Sequence, residues 1–366
     1  MQKLLKTMAM TLALVLLAGC EKPPLPSADP VSHLVENVIV IDGSGAPARK
    51  GAVRFQGKRI LDVGSLARRP NDVVIDGGGR VLAPGFIDTH SHADSELFAQ
   101  PGALAAVSQG ITTVVIGQDG DSPFPLLDFR MQLLDNPIAV NVAAYSGHNT
   151  LRAHVMKSDY RRHATEPERA VMGQFLREDM QAGALGLATG LEYDPGIYAS
   201  TDEVISLARV AAKHGGRYIS HIRSEDRWFD EAIDEIVEIG RATGMPVQIS
   251  HIKHAMTRLW GQAEGTLAKL DAARADGVNI TADIYPYEFW QSTMMVLLPE
   301  RDYTDRAAIA EVLEQIAPAE GIWMTLYEPN PDYVGKSLTE IAGLLEVDAI
   351  DAFTHLAQGA ERWKRE

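Results

Sequence analysis

The sequence contains one cysteine among its 366 residues, which excludes an internal disulfide. It also lacks a basic stretch. Acidic residues outnumber lysine and arginine by 49 to 34, the formal net charge is −15, and no basic patch able to neutralise several phosphates is present. A nucleic-acid partner is therefore not expected. Hydrophobic residues make up 46% and charged residues 23%, a balance that excludes disorder as the main state.

The chain also has little that can cross a membrane. Its apolar stretch at residues 8–17 is shorter than the about 20 residues that a spanning helix needs. Lys3 and Lys6 precede this stretch and small residues follow it, an order typical of a secretory signal peptide. We therefore expect a signal peptide over residues 1–19.

The only cysteine, Cys20, stands at the predicted cleavage point in Leu-Ala-Gly-Cys. This segment resembles the lipobox of bacterial lipoproteins, in which the cysteine is lipidated and becomes the new N-terminus. The alternative is an ordinary signal peptide with a chance cysteine. The resemblance predicts a lipid anchor on the periplasmic side of the bacterial cell envelope, with residues 20–33 as a Pro-rich tether.

Two regions with different sequence patterns follow the tether. Residues 34–82 contain short β-like runs between Gly and Pro turns, which predict a small antiparallel, sandwich-like β-domain. From residue 83, β-branched runs alternate with stretches of helical periodicity, the pattern of βα units around a parallel sheet.

The βα region predicts seven strands, namely GFIDTHSH, TTVVIGQD, NVAAYSGH, GALGLATG, RYISHIR, PVQISHIK and VNITADIYPY. A (β/α)8 barrel has eight. After Tyr287 the sequence predicts two helical segments, 305–316 and 337–355, and no further strand. We therefore expect an α/β protein whose residues 83–366 form an incomplete (β/α)8 (TIM) barrel that lacks its last strand.

Four histidines end predicted strands. His90 and His92 are two positions apart, so their side chains share one face of a strand. That pair alone fits metal binding and a chance surface pair equally well. His221 and His251 lie in two Ile-Ser-His-Ile segments thirty residues apart, at the ends of consecutive strands. Four histidines converging at the mouth of a barrel indicate a zinc site.

Three further residues belong to this region. Asp119 ends the second strand, where a carboxylate ligates or bridges metals; the alternative is a turn aspartate between glycines. Asp88 is expected to orient an imidazole. His148 ends the third strand and is a candidate substrate contact.

These motifs together resemble the amidohydrolase superfamily and, within it, the N-acyl-D-amino-acid deacylases, or D-aminoacylases. The supporting stretches are APGFIDTHSH at 83–92, GITTVVIG at 110–117, SGH at 146–148, GLEY at 190–193, SHIR at 220–223, SHIK at 250–253 and YPY at 285–287. The resemblance implies a metal-dependent hydrolase barrel that cleaves the amide bond of N-acylated D-amino acids.

The resemblance also implies roles for individual residues. His221 and His251 would hold the tighter zinc with Asp119, and His90 and His92 would contribute to a second, weaker position, so one or two Zn²⁺ ions are expected. The substrate residues are implied to be Lys253, Tyr193 and Tyr285. A lysine at position 253 suits this role, because its positive charge binds the carboxylate of the substrate.

The chain departs from the family pattern in two ways. The family usually has cysteine at the position of Asp119, although a carboxylate also ligates zinc. The family's catalytic aspartate lies on strand eight in a Ser-Asp-Gly-like stretch, and none follows Ala352. That aspartate takes a proton from the attacking water and passes it to the leaving nitrogen. The pattern therefore predicts a C-terminally truncated member of the family.

Three hypotheses remain open at this point. The first is a working deacylase in which another carboxylate, such as Asp283 after the seventh strand, replaces the missing base. The second is a truncated member that binds zinc and turns over weakly or not at all. The third, a cyclic-amide hydrolase such as a dihydropyrimidinase, needs a carbamylated lysine on strand four, and residues 183–190 contain no lysine.

Overall fold

The computed structural model describes residues 31–363. The predicted signal peptide and Cys20 lie outside these residues. The described chain divides into two compact units, one ending at Gly85 and the other beginning at Phe86. Among the described residues, no helix is long and apolar enough to cross a membrane.

The first unit is one five-stranded sheet. Its strands are β1 (Ser32–Val40), β2 (Arg49–Gln56), β3 (Arg59–Gly64), β4 (Asp72–Asp76) and β5 (Val81–Leu82). The order is β3-β2-β1-β4, and β5 pairs with the far end of β1. As predicted, β1, β2 and β3 are antiparallel. The prediction of an antiparallel domain is wrong for β4 and β5, which run parallel to β1.

A buried ion pair explains the direction of β4. Ser32 Oγ, at the start of β1, donates a 2.6 Å hydrogen bond to Asp72 at the start of β4. The guanidinium of Arg54, whose side chain is 2% exposed, contacts the same carboxylate at 2.9 Å. The two strands are therefore pinned at the same end and run in the same direction.

The second unit contains parallel strands that follow one another in chain order. They are β6 (Phe86–Asp88), β7 (Ile111–Ile116), β8 (Asn141–Ala144), β9 (Ser146–Gly147), β10 (Gly186–Gly190), β11 (Arg217–His221), β12 (Val247–Ile249) and β13 (Ile280–Ala282). Strands β6 to β8 form one sheet and β9 to β13 a second. Only Tyr145 separates β8 from β9, so the eight strands occupy the seven predicted positions.

Helices alternate with these strands. They are α1 (Leu104–Val107), α2 (Leu126–Asp135), α3 (His148–Met156), α4 (Glu166–Gln181), α5 (Thr201–Lys213), α6 (Phe229–Thr243), α7 (Ala263–Ala275), α8 (Arg306–Gln315), α9 (Leu338–Leu345) and α10 (Ala349–Trp363). Short 3-10 turns occupy Ala93–Ser95, Lys157–Asp159, Gly196–Tyr198, Thr257–Leu259, Met294–Leu297, Ala319–Gly321 and Pro331–Tyr333.

Helix α6 illustrates how the sequence forms these elements. Its apolar residues recur at helical spacing, and Ile233, Ile236 and Val237 are buried against the sheet. The helix ends at Gly244, whose φ of 67° is left-handed and therefore favours glycine. Burial of each such side chain contributes about 1.5–3 kcal/mol.

The last 80 or so described residues are mainly helical and carry a separate apolar core, which includes Ile309, Ile341 and Phe353. The predicted helix at 305–316 is confirmed as α8. The segment predicted as one helix at 337–355 is two, because the backbone of Glu346 is left-handed (φ 58°) and interrupts the hydrogen-bond ladder.

The two end strands of the barrel unit each have one strand partner among residues 31–363. Strand β6 pairs with β7 and β13 pairs with β12. Phe86 and Ile87 on β6 are 60% and 61% exposed, whereas every residue of β10, which lies between β9 and β11, is buried. Past β13, the described chain has only one isolated β-bridge, between Trp323 and Ser337.

Candidate metal centre

The four predicted histidines lie close together at the carboxyl ends of the strands. His221 is the last residue of β11, and His251 lies two residues beyond β12. His90 and His92 follow β6 and are not part of it, which corrects their predicted place within a strand. Ring centroids are 5.0 Å apart for His90 and His251 and 4.8 Å apart for His221 and His251.

Asp119 is the centre of this cluster. Its Oδ2 lies 3.2 Å from Nε2 of His92, 3.4 Å from Nε2 of His251 and 3.6 Å from Nε2 of His90. His221 approaches through its other nitrogen, since Nδ1 is 3.2 Å from Nε2 of His251. The cluster forms two sets of potential ligands that share Asp119, one with His90 and His92 and the other with His221 and His251.

These separations fit a tetrahedral metal site. With bonds of about 2.0–2.1 Å to a zinc ion, neighbouring ligand atoms are about 3.4 Å apart. The observed separations of 3.2 to 3.6 Å bracket that value. In addition, Asp119 Oδ1 is buried and makes no hydrogen bond with any described residue. Imidazole nitrogens and a carboxylate are ligands that zinc accepts, so the residues fit a divalent cation.

Unusual backbone geometry holds two of the ligands in place. Asp119 (φ 54°) and His251 (φ 35°) are both in the left-handed region, which costs about 1 kcal/mol for a residue with a side chain. Gly190, at the end of β10, lies against the Asp119 loop, and a Cβ there would be 2.0 Å from the carbonyl oxygen of Asp119. Glycine at position 190 therefore permits the approach that brings Asp119 to the histidines.

Three carboxylates that the sequence did not single out as ligands surround the histidines. Glu192 Oε2 is 2.7 Å from Nε2 of His221, and Glu225 Oε1 is 2.9 Å from Nδ1 of His251. Asp283 Oδ1 accepts a 2.6 Å hydrogen bond from the backbone N–H of His251 and lies 3.4 Å from Nδ1 of His90. Each of these carboxylates follows the end of a strand, and this position is the sequence feature that could have indicated them. By contrast, Asp88 accepts from the backbone N–H of His90 and orients the chain.

The electrostatics of the cluster favour a cation. Burial lowers the pKa of the His90 imidazole, but hydrogen bonds that His90 donates to the carboxylates of Asp119 and Asp283 outweigh it and raise that pKa to about 9. The same balance of burial against the carboxylates of Asp119 and Glu225 raises the pKa of His251 to about 9. Burial opposes ionisation of Asp119, yet the histidines hold its pKa well below the usual range. In the metal-free protein, the protonated imidazoles of His90 and His251 therefore carry positive charge at this position.

The predicted substrate residues Lys253, Tyr193 and Tyr285 lie beside this cluster. Lys253 Nζ is 2.5 Å from the Glu225 carboxylate, and it is 5.6 Å from the ring centroid of Tyr285. The Tyr193 ring is 4.4 Å from the ring of His221. Burial raises the pKa of Tyr285 to about 12, so this phenol is a hydrogen-bond donor at neutral pH.

Among the predicted site residues at positions 31–363, only His148 lies away from the cluster. It begins α3, is fully buried, and its Nε2 lies 2.9 Å from Glu203. Arg152 donates to both oxygens of the same carboxylate at 2.7 Å. This arrangement holds α3 against α5 and does not support a substrate contact by His148.

The buried pair of Arg152 and Glu203 yields a stability prediction. Burial opposes ionisation of Glu203, but His148 and Arg152 lower its pKa to about 2. The folded pKa is below the unfolded value, so this stability is present above about pH 4.5 and is lost as the pH falls towards 2. The Glu203→Gln variant leaves Arg152 without a counter-charge and is expected to lose about 3–5 kcal/mol of unfolding free energy at pH 7. Urea denaturation measures this loss.

The matched control is Asp276→Asn, which breaks an exposed ion pair with Arg241. Its cost is expected to be below about 1 kcal/mol. Equal destabilisation of the two variants would contradict a structural role for the buried pair.

A known protein family matches most of this chain. A profile described as the amidohydrolase family matches residues 73–321. The chain belongs to the amidohydrolase family. Among its relatives, an N-acyl-D-glutamate deacylase of Alcaligenes xylosoxydans xylosoxydans is 38% identical over 345 residues, which cover 88% of this amidohydrolase and 67% of the relative.

Solved structures agree with the family. An N-acyl-D-glutamate deacylase from Bordetella bronchiseptica, complexed with zinc and a phosphonate mimic of the tetrahedral intermediate, has a TM-score of 0.79 at 34% identity. The match covers 90% of this amidohydrolase and 70% of that chain. A D-aminoacylase studied for its binuclear metal centre, with activation by one metal and attenuation by the second, has a TM-score of 0.75 at 32% identity, covering 89% and 70%. The predicted family and fold are confirmed.

The amidohydrolase described here spans about two thirds of the length of its curated relatives. The profile match includes Asp119 and all four histidines.

Proposed function

We propose that this chain hydrolyses the amide bond of N-acyl-D-amino acids in a metal-dependent reaction. The observation that carries the proposal is the convergence of three imidazole Nε2 atoms on Oδ2 of Asp119 at 3.2 to 3.6 Å. The similarity to N-acyl-D-glutamate and N-acyl-D-aspartate deacylases and to a D-aminoacylase supports this substrate class.

We propose zinc as the metal, held at one or two positions that share Asp119. The tighter position would use His221 and His251, whose side chains are 3% and 14% exposed, and the weaker one His90 and His92, of which His92 is 62% exposed. The chemistry that zinc supplies at such a site is Lewis-acid activation of an amide carbonyl and of water.

The residues of the chain supply substrate positioning. Lys253 is the cation beside the ligands and would pair with the carboxylate of the amino acid. Tyr193 and Tyr285 would contact the acyl group. Their aromatic rings also exclude water from the side of the cluster that they cover.

The carboxylates nearest the histidine cluster already accept hydrogen bonds from other groups. Asp283, the alternative base, already accepts hydrogen bonds of 2.6 Å from the backbone N–H of His251 and from Nε2 of Gln248. Glu192 and Glu225 are likewise engaged with histidines. The second candidate function, favoured by these engaged carboxylates, is therefore a metal-binding protein with little or no turnover.

One experiment separates the two candidates. The chain is loaded with zinc, its metal content is measured by mass spectrometry, and N-acetyl-D-amino acids, including D-glutamate and D-aspartate, are tested for release of the free amino acid. Turnover that disappears in His251→Ala, which removes a ligand of the tighter position, but not in the exposed His214→Ala control, supports the deacylase. Stoichiometric zinc without turnover supports the second candidate, and absence of zinc refutes both.

Metal affinity is expected to rise with pH. Since the pKa values of His90 and His251 are about 9 in the metal-free protein, both imidazoles are protonated at pH 7 and must lose protons to ligate a metal. Zinc affinity should therefore increase from pH 7 to about pH 9 and then level off. Calorimetry in two buffers with different ionisation enthalpies measures the protons released. Affinity independent of pH over this range would contradict the assigned charges.

We also propose that the chain is exported and anchored through Cys20 to the bacterial envelope. The sequence 17–20 supports this proposal, and the cysteine lies outside the described residues. The Cys20→Ser variant is expected to lose incorporation of radiolabelled palmitate and to leave the membrane fraction. Equal membrane retention of both proteins would refute lipidation.

A further inference from the structure

His221 and His251 each have one ring nitrogen at the ligand cluster and the other at a buried glutamate. The nitrogen that faces the cluster is Nδ1 in His221 and Nε2 in His251. In His221, Nδ1 faces the cluster, 3.2 Å from His251, and Nε2 is 2.7 Å from Glu192. In His251, Nε2 faces the cluster, 3.4 Å from Asp119, and Nδ1 is 2.9 Å from Glu225 and 3.1 Å from Nζ of Lys253, which also contacts Glu225. Glu192 and Glu225 are about 5% exposed.

The two contacts repeat along the sheet. Glu192 follows β10 and holds the histidine of the next strand, β11. Glu225 follows β11 and holds the histidine after the next strand, β12. Each histidine is thus oriented from the loop of the strand that precedes its own.

A neutral imidazole carries one N–H and one lone pair, so an acceptor at one nitrogen leaves the other for a metal. We propose that Glu192 and Glu225 are positioning residues that select Nδ1 of His221 and Nε2 of His251 as the metal-facing atoms. The inference deepens the proposed function and rests on its metal centre.

An alternative is that Glu192, His221 and Glu225 themselves surround a cation, as their proximity allows. The 2.7 Å contact between Glu192 and His221 is a hydrogen-bond length and is shorter than the about 3.4 Å that separates two ligands of a tetrahedral zinc. Lys253 already supplies a positive charge to Glu225 at 2.5 Å. The 2.7 Å contact therefore favours a proton between Glu192 and His221, and the ammonium of Lys253 already balances the charge of Glu225.

Nuclear magnetic resonance of the histidine-¹⁵N-labelled chain loaded with ¹¹³Cd²⁺ tests the assignment directly. We expect cadmium coupling to Nδ1 of His221 and to Nε2 of His251, with the proton on the other nitrogen of each ring. The His221→Asn and His251→Asn variants assign the signals. Coupling to Nε2 of His221 would overturn this inference alone, whereas a chain that binds no cadmium would overturn the proposed function and the inference with it.

Zinc affinity of position 192 variants tests the role of the glutamate. Glu192→Gln keeps an oxygen acceptor and is expected to bind zinc within about threefold of the unmodified chain. Glu192→Leu removes the acceptor and is expected to lose about 10- to 100-fold. The control is Glu235→Leu, which removes a carboxylate that is 9% exposed and that contacts Arg223 and Thr201 but no histidine among the described residues.

The zinc affinities of these variants distinguish a positioning role of Glu192 from a role as a metal ligand. Loss of affinity in the leucine variant with rescue by glutamine supports positioning. Loss of one equivalent of zinc in both position 192 variants would mean that Glu192 is itself a ligand and would overturn the inference. A zinc affinity of Glu192→Leu equal to that of Glu235→Leu would also overturn the inference. Circular dichroism of each variant confirms folding, and the cadmium experiment on the unmodified chain remains decisive if the leucine variant unfolds.

Discussion

Replacing Asp119 with alanine is expected to lower zinc affinity by about 10²- to 10³-fold at both positions, with parallel loss of any turnover. The physical reason is that Oδ2 of Asp119 is shared by the two sets of ligands. Zinc binding in structural sites of four ligands contributes about 10–16 kcal/mol, or roughly 3 kcal/mol for each ligand. Competition with a fluorescent zinc chelator measures the loss.

Two further substitutions at this position separate charge from backbone conformation. Asn tolerates the left-handed backbone of residue 119 and removes the charge, so Asp119→Asn should lose affinity while keeping the fold. Cys supplies a thiolate, so Asp119→Cys should retain zinc and shift the preference towards softer ions such as cadmium. The exposed Asp128→Ala variant is the control. Unchanged zinc binding in both the alanine and asparagine variants would refute the assigned ligand.

Replacing Lys253 with methionine is expected to weaken binding of N-acetyl-D-amino acids to the zinc-loaded chain by about 10- to 100-fold. A hydrogen bond to a charged group contributes about 1.5–3 kcal/mol, and each 1.4 kcal/mol is tenfold in affinity. Lys253 lies beside the ligands, with Nζ 3.1 Å from the backbone carbonyl oxygen of His251. Inhibitor or substrate binding, measured by calorimetry, does not depend on turnover.

The chemistry of the substrate supplies the matched control. If Lys253 pairs with the amino-acid carboxylate, the effect of Lys253→Met should disappear with N-acetyl-D-amino-acid amides, which lack that charge. The Lys269→Met variant, whose lysine pairs with Asp234 on α6, should bind both ligands like the unmodified chain. An equal loss of affinity for acid and amide would show that Lys253 acts by holding Glu225.

The sequence predicted strand positions better than strand limits. Apolar β-branched runs identify all seven positions because parallel strands are buried on both faces. The ends of these strands depend on hydrogen bonds that hydropathy does not report, and so β6 stops at Asp88, before both of its histidines. The direction of β4 was not predictable either, because it depends on Arg54 meeting Asp72, eighteen residues away.

Prediction of the site was limited in the same way. Repeated Ser-His motifs and His90-x-His92 identify ligands because imidazoles at strand ends are a specific pattern. Glu192 and Glu225 were missed, since an isolated glutamate after a strand is common and its partner is known only from the fold. His148 ends a predicted strand as the ligands do, yet it is buried against Glu203 and contributes to packing.

The distribution of the ligands gives a bound cation a second consequence. His90, His92 and Asp119 follow strands of the sheet of β6 to β8, whereas His221 ends β11 and His251 follows β12 in the sheet of β9 to β13. A cation held by both groups would act as a cross-link between the two sheets. By mass action, a free metal concentration a thousand times its dissociation constant adds about 4 kcal/mol to stability. Metal supply would then set the lifetime of the folded barrel as well as its chemistry, and a chelator would loosen the junction between the sheets.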